Sequence, residues 1–350
     1  MRTELGINPQ LINYNYKHQY SNFKGKRDIV AFMDYDGTYK DHKYPETRDI
    51  LEDGLVDLRS QYAKSNINFI PVIISARPKE RLKEEYPSDV IQWCISQNGG
   101  EITKGSPSTN TTNYEKWEDL NASTGFKAKK VQDSIHRVSK LPEFSSLKIV
   151  PVGDVVHNPI ASACEYMQPF CIALGTIKLD KDEPKEILTE KSYKTPKQVK
   201  QFVHMVSKDL KQQGIQFEIN QPYLYKNKPY IMFDIASPYA NKGQAIKFLL
   251  KELDINKKNI IVAGDGGNDI AMMKPSKGTK KGDGRSLIVV GENKSLIKNA
   301  KSLSKDELVI RPPEEPSSIG LLEGLKIHLD RITQRILGKK PKSSKTDILA

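Results

Sequence analysis

Cysteine is scarce in this chain: only Cys94, Cys164 and Cys171 occur. No metal-ligand spacing links them, so reduced thiols in a reducing compartment are expected. Long apolar runs are missing too, and no stretch nears the roughly 20 residues that span a bilayer. The N-terminus, Met1-Arg-Thr-Glu-Leu-Gly-Ile-Asn, lacks the apolar core of a secretory signal. A cytoplasmic protein without membrane partners is expected, with export through the C-terminal tail left open. Without a secretory signal, Asn110-Thr111-Thr112 and Asn121-Ala122-Ser123 are not read as glycosylation acceptors. Internal repeats and heptad arrays are absent. So is the aromatic-basic interleaving of a single-strand binding platform. The net charge, 55 − 43 = +12, is spread over lysines interleaved with acids, as across Lys178–Glu186. Charge of that kind supports only weak, salt-sensitive binding, which argues against a dedicated nucleic-acid partner. Attraction for anionic phosphate esters uses it more economically.

What is present suits a globular enzyme with a polar surface: 37% hydrophobic and 28% charged residues over 350 positions, long enough for two domains. Ile29-Val-Ala-Phe-Met33 reads as a buried parallel strand, and Asp34-Tyr-Asp-Gly-Thr38 closes it. Side chains two apart on a strand point the same way, so Asp34 and Asp36 can face one spot past its carboxyl end, where open α/β sheets place ligands. Crowded carboxylates there repel unless a cation or shared proton relieves them. Phe69 to Ser75 is a second apolar strand ending in a hydroxyl. Ile260-Ile-Val-Ala-Gly264 is a third, ending in Asp265-Gly-Gly-Asn-Asp269. Asn241-Lys242-Gly243 opens an amphipathic helix with Ile246, Leu249, Leu250 and Leu253 on one face. A carboxylate pair, a hydroxyl, a lysine and a second carboxylate pair, in that order, are the parts of a phosphoryl-transfer site.

This ordered set resembles the haloacid dehalogenase superfamily of phosphohydrolases. Asp34 and Asp36 match its first motif, Ser75 its second, Lys242 its third, and Asp265 with Asp269 its fourth. Ser75-Ala-Arg-Pro78, Asn98-Gly-Gly100 and Asn241-Lys-Gly243 are similar to the type II cap branch, which holds Cof-type and sucrose-phosphate phosphatases. The resemblance implies an α/β fold: a Rossmann-like parallel-sheet core with an inserted α+β cap domain. The corresponding organisation is an N-terminal extension over 1–27, a first core part over 28–101, the cap over 102–237, a second core part over 238–337 and a basic, disordered tail over 338–350.

Within the core, the pattern Ile50, Leu51, Leu55, Leu58, Tyr62 predicts a helix over 47–65 with Thr47 as its cap. Trp93 to Ser96, Leu287 to Gly291 and Leu308 to Arg311 read as further short strands, and 317–337 as a long amphipathic helix. In the cap, strands are expected near 147–152, 170–178 and 230–236, and helices near 125–139 and 195–213. The resemblance makes Asp34 the nucleophile and Asp36 the general acid and base. It places Mg²⁺ on Asp34, Asp265 and the backbone carbonyl of Asp36, with Asp269 acting through water. An all-oxygen set of carboxylates suits that ion. Ser75 would donate to a phosphoryl oxygen and Lys242 would offset its charge, while Thr38, Arg77, Asn98 and Asn268 are candidate substrate contacts. His42, His157 and His204 have no metal-like spacing. The expected reaction is Mg²⁺-dependent hydrolysis of a small phosphorylated metabolite, with a sugar phosphate as a candidate. A phosphomutase, a phosphoprotein phosphatase, or a protein that binds partners through its basic cap and tail are the alternatives.

Overall fold

The computed structural model describes residues 27–85, 90–105, 112–150, 172–178, 196–219, 223–224, 230–266, 269–274, 285–303 and 307–339. Asn268, Cys164, Cys171, His157 and the expected N-terminal extension and tail, apart from Arg27, Gly338 and Lys339, lie outside these residues. The fold is α/β with a mostly parallel central sheet. Contacts divide the chain into two compact units, Met1–Val72 with Lys247–Ala350, and Ile73–Ile246.

The first unit holds β1 (Asp28–Asp34), most of β2 (Asn68–Ile74), β11 (Ile260–Gly264), β12 (Ser286–Val290) and β13 (Leu308–Arg311). Their order is β13-β12-β11-β1-β2. β1 pairs in parallel with β11, matching Met33 to Ala263, so Asp34 ends its strand level with Gly264. Strands β1, β11 and β12 are buried along their whole length, as continuously apolar runs in a parallel sheet must be. Helix α1 (Thr47–Ala63) buries Leu51, Leu55, Leu58 and Tyr62, while Ile50 is 54% exposed despite its place in the apolar pattern. The expected Thr47 cap is corrected: Glu46 takes that position without a side-chain hydrogen bond, because the Thr47 hydroxyl turns back to the Tyr44 carbonyl at 2.6 Å.

The second unit contains β3 (Trp93–Ser96), which pairs antiparallel with β4 (Glu101–Lys104). It also contains a separate antiparallel sheet of β6 (Lys148–Val150), β7 (Ile172–Lys178), β10 (Tyr230–Ala236) and β8 (Glu218–Ile219), in that order. Two helices, Ala128–Ser139 and Lys197–Gln212, cover it. Val131, Ile135 and Val138 from one, and Phe202, Val206 and Leu210 from the other, share a core with Ile231, Phe233 and Ile235. Alternation along β10 puts those three on one face. These elements fall where the sequence places the α+β insertion. A helix over Glu115–Ala122 was not expected; with Trp117 and Leu120 as its large apolar residues, it shows no sustained period. Among the described residues no helix is long and apolar enough to cross a membrane.

Candidate active site

In the first unit the chain leaves β1 at Asp34 and turns at once. Tyr35 accepts the N–H groups of Tyr39 and Lys40, and Gly37 adopts φ +80°, a left-handed conformation that favours glycine. Asp34, Asp265 and Asp269 each offer a carboxylate oxygen, and these atoms lie within 4.8 Å of one another. Asp34 is 5% exposed and Asp269 fully buried. Three carboxylates this close, partly out of water, are stable together only with a cation or proton to offset them. Their all-oxygen chemistry fits a hard divalent ion such as Mg²⁺ rather than a thiolate- or imidazole-seeking metal.

The surroundings hold these acids in place. Asp269 Oδ2 accepts the N–H groups of Asp265 at 3.1 Å and Gly266 at 2.9 Å, folding the post-strand turn back on itself. Thr38, fully buried, donates to Asp265 Oδ1 at 3.1 Å. Asp36 does not join the three-carboxylate cluster: with the strand ended, alternation no longer applies, and its Oδ1 lies 3.2 Å from Nε2 of the exposed His42. Beyond it Asp41 accepts the N–H groups of Lys43 and Tyr44 on one oxygen and of Ser317 on the other. Burial pushes the Asp41 pKa up, but these backbone donors, led by Ser317, outweigh it and hold the carboxyl below its ordinary value.

The second unit gathers Ser75, Arg77, Asn98 and Lys242. Ser75 follows β2 directly and is 1% exposed. Its Oγ accepts the Arg77 N–H at 3.0 Å, which leaves the hydroxyl proton free of that bond and able to donate elsewhere. Asn98 donates its N–H to the Ser75 carbonyl at 2.8 Å, and Gln97 donates to that of Arg77 at 2.9 Å. Lys242 starts the helix Lys242–Glu252 and is 1% exposed, where a lone helical lysine is ordinarily solvated. Asn241 caps this helix by accepting the Gly243 N–H at 2.8 Å. Nearby, burial pushes the Glu101 carboxyl up, opposed by the Ser96 hydroxyl and Lys79. Burial likewise raises the Cys94 thiol, the free cysteine among the described residues, and leaves it unreactive.

Sequence reasoning missed Trp117 and Asn121, which bond the carbonyls of Gly99 and Gly100. Their i, i+4 spacing is the one signal that could have found them. It also missed the Asp41 carboxylate as partner to the start of the last helix.

Residues 180–329 match the family model described as sucrose-6F-phosphate phosphohydrolase. That span includes Lys242, Asp265 and Asp269 but not Asp34, Asp36 or Ser75. A sucrose-phosphatase structure from Synechocystis sp. PCC6803, in complex with sucrose and phosphate, is similar at 14% identity and TM-score 0.50, covering 87% of this chain and 98% of its own. A haloacid dehalogenase-like hydrolase from Bacillus subtilis is similar at 17% identity and TM-score 0.50, covering 92% of this chain and 100% of its own. No curated protein matches by sequence.

Proposed function

We propose that the protein is a haloacid dehalogenase-like phosphoric monoester hydrolase that removes phosphate from a sugar phosphate, with Mg²⁺, through an aspartyl-phosphate on Asp34. The observation that carries this reading is the cluster of Asp34, Asp265 and Asp269 at the carboxyl ends of adjacent strands. Segments 28–101 and 238–337 form the catalytic core in this reading, and 102–237 the cap that selects substrate.

Asp34, Asp265 and Asp269 would hold Mg²⁺, together with the Asp36 carbonyl. When bound, the ion offsets the charge of an incoming phosphate against three carboxylates. The Asp34 carboxylate attacks phosphorus in line, and the bond to the sugar oxygen breaks. Asp36 gives its proton to that oxygen, then takes one from the water that attacks the aspartyl-phosphate. Orthophosphate leaves and Asp34 is restored. Asp36, its side chain 35% exposed and beside His42, has the access to solvent that proton exchange requires. Ser75 donates its hydroxyl proton to a phosphoryl oxygen. Lys242 supplies positive charge at a helix N-terminus that also favours anions. Thr38 supports this arrangement through Asp265, and Arg77, Asn98 and Asn268 are the proposed substrate contacts.

Asp36→Asn tests the covalent step. Mixed with a substrate carrying a good leaving group, it should accumulate one phosphoryl group on Asp34, visible by intact and peptide mass spectrometry. Rapid hydrolysis with no adduct would remove Asp36 from the acid–base role.

A further inference from the structure

Lys242 sits on a long flexible stem, and its charge contributes only if something fixes where it points. The structure shows what fixes its backbone. Gly99 lies against the Asn241–Lys242 peptide so closely that a Cβ there would come within 2.5 Å of the Asn241 carbonyl and 2.8 Å of the Lys242 nitrogen. Gly99 belongs to a turn with three successive left-handed residues, Gln97 at φ 50°, Asn98 at 56° and Gly99 at 104°. Two of these are not glycine, and such conformations persist only where the surroundings hold them.

Helix Glu115–Ala122 does the holding. Trp117 Nε1 donates to the Gly99 carbonyl at 3.1 Å, and Asn121 Nδ2 donates to that of Gly100 at 3.3 Å. The same two side chains reach the segment that leads into Lys242. Asn121 Oδ1 accepts the Ser237 hydroxyl at 2.7 Å, and the Trp117 ring meets Tyr239 edge-on at 5.9 Å between centroids. Trp117, Asn121 and Ser237 are each no more than 2% exposed, so these bonds do not compete with water. Through Asn98, the turn also carries the Ser75 carbonyl.

We infer that Trp117 and Asn121 are positioning residues: they clamp the Gln97–Gly100 turn to the Ser237–Tyr239 segment and so set Lys242 against Ser75. The inference rests on the reading of Lys242 as a phosphate-facing cation, but the clamp itself can be tested without turnover. Brief labelling with an amine-reactive ester, read lysine by lysine by mass spectrometry, follows the burial of Lys242 directly. Asn121→Ala, with Ser237→Ala as the milder variant, should raise Lys242 labelling about tenfold while Lys79, bonded to Asn113, keeps its wild-type rate. In parallel, Asn121→Ala should lower kcat/KM roughly tenfold or more, yet less than about twofold when Lys242→Ala is already present.

Lys242 protected as in the wild type would overturn the inference. So would an equal loss in both backgrounds, or a rise at Lys79 too, which would mean general loosening of the fold. A wild type that hydrolyses no phosphate ester would sink the function proposed above, and the labelling alone would then decide the clamp.

Discussion

Gly37 and Gly264 show how little room the acidic cluster leaves. A Cβ on Gly37 would fall 2.3 Å from Asp265 Oδ2, and one on Gly264 would fall 2.6 Å from Asp269. Gly37→Ala therefore has to displace a carboxylate as well as strain a left-handed backbone. We expect the Mg²⁺ concentration for half-maximal activity to rise by about 10- to 100-fold, as when a group supporting a metal ligand is disturbed. An unchanged Mg²⁺ titration would show that Asp265 does not hold the ion. In the proposed mechanism a carboxylate oxygen of Asp34 attacks phosphorus, so Asp34→Asn should cost on the order of 10⁴-fold or more in kcat with little change in the thermal midpoint. The places of Asp34, Ser75, Lys242 and Asp265 on their elements were legible because each sits at the end of an apolar strand or the start of a helix, where sequence pattern is strongest. The direction of the Asp36 side chain was not legible, because alternation says nothing once the chain leaves the strand at Tyr35.

The last helix, Ser317–Ile336, was legible as an element and illegible in its details. Its buried stripe includes the apolar Leu325, Leu329 and Ile332, but also Ser318, Gly320, Gly324 and His328. Glycine and polar residues are invisible to an apolar count, yet Gly324 lets the helix lie on Ile288 and Gly320 on Arg311. His328 is fully buried, with Nε2 3.1 Å from the Leu287 carbonyl and Nδ1 3.9 Å from Glu307, too far for a hydrogen bond. Burial, helped by Arg331 and Arg335 and opposed by the Leu287 bond, pushes its pKa down from 6.5 to about 3. The folded state thus keeps the ring neutral while the unfolded state takes up a proton. This contribution is complete above pH 6.5 and is lost as pH falls from there toward 3. Stability should drop by up to about 1.4 kcal/mol per pH unit in that window. His328→Gln keeps a donor for Leu287 and does not titrate, so its urea midpoint should vary less between pH 6.5 and about 5. Equal slopes for the two proteins would rule His328 out as the source.

The same helix has Pro316 at its N-cap, which offers no side-chain acceptor, and Asp41 supplies one instead at 2.7 Å from the Ser317 N–H. Such a partner, distant in sequence, has no local signature. Asp41→Ala should cost about 1 kcal/mol, like other lost caps, and chemical denaturation would measure it. The Glu115–Ala122 helix escaped notice for a related reason: its Trp117 and Asn121 hydrogen bonds reach the Gly99–Gly100 turn, and no apolar period records such partners.

At the scale of the whole molecule, the α/β class followed from motif order, because each motif marks the end of a core strand or the start of a helix. The parallel pairing of β1, β11, β12 and β13, and the antiparallel sheet around β10, agree with that reading. The net charge of +12 belongs to this scale also: it favours encounter with anionic esters and does not choose among them. The most direct measurement is orthophosphate release from a panel of sugar phosphates, nucleotides and an aryl phosphate, with Mg²⁺ or with chelator, for the wild type and Asp34→Asn. We expect release that requires Mg²⁺, is highest among the sugar phosphates and disappears in Asp34→Asn. Equal release by the variant, or release that survives chelation, would contradict a Mg²⁺-dependent phosphatase acting through Asp34.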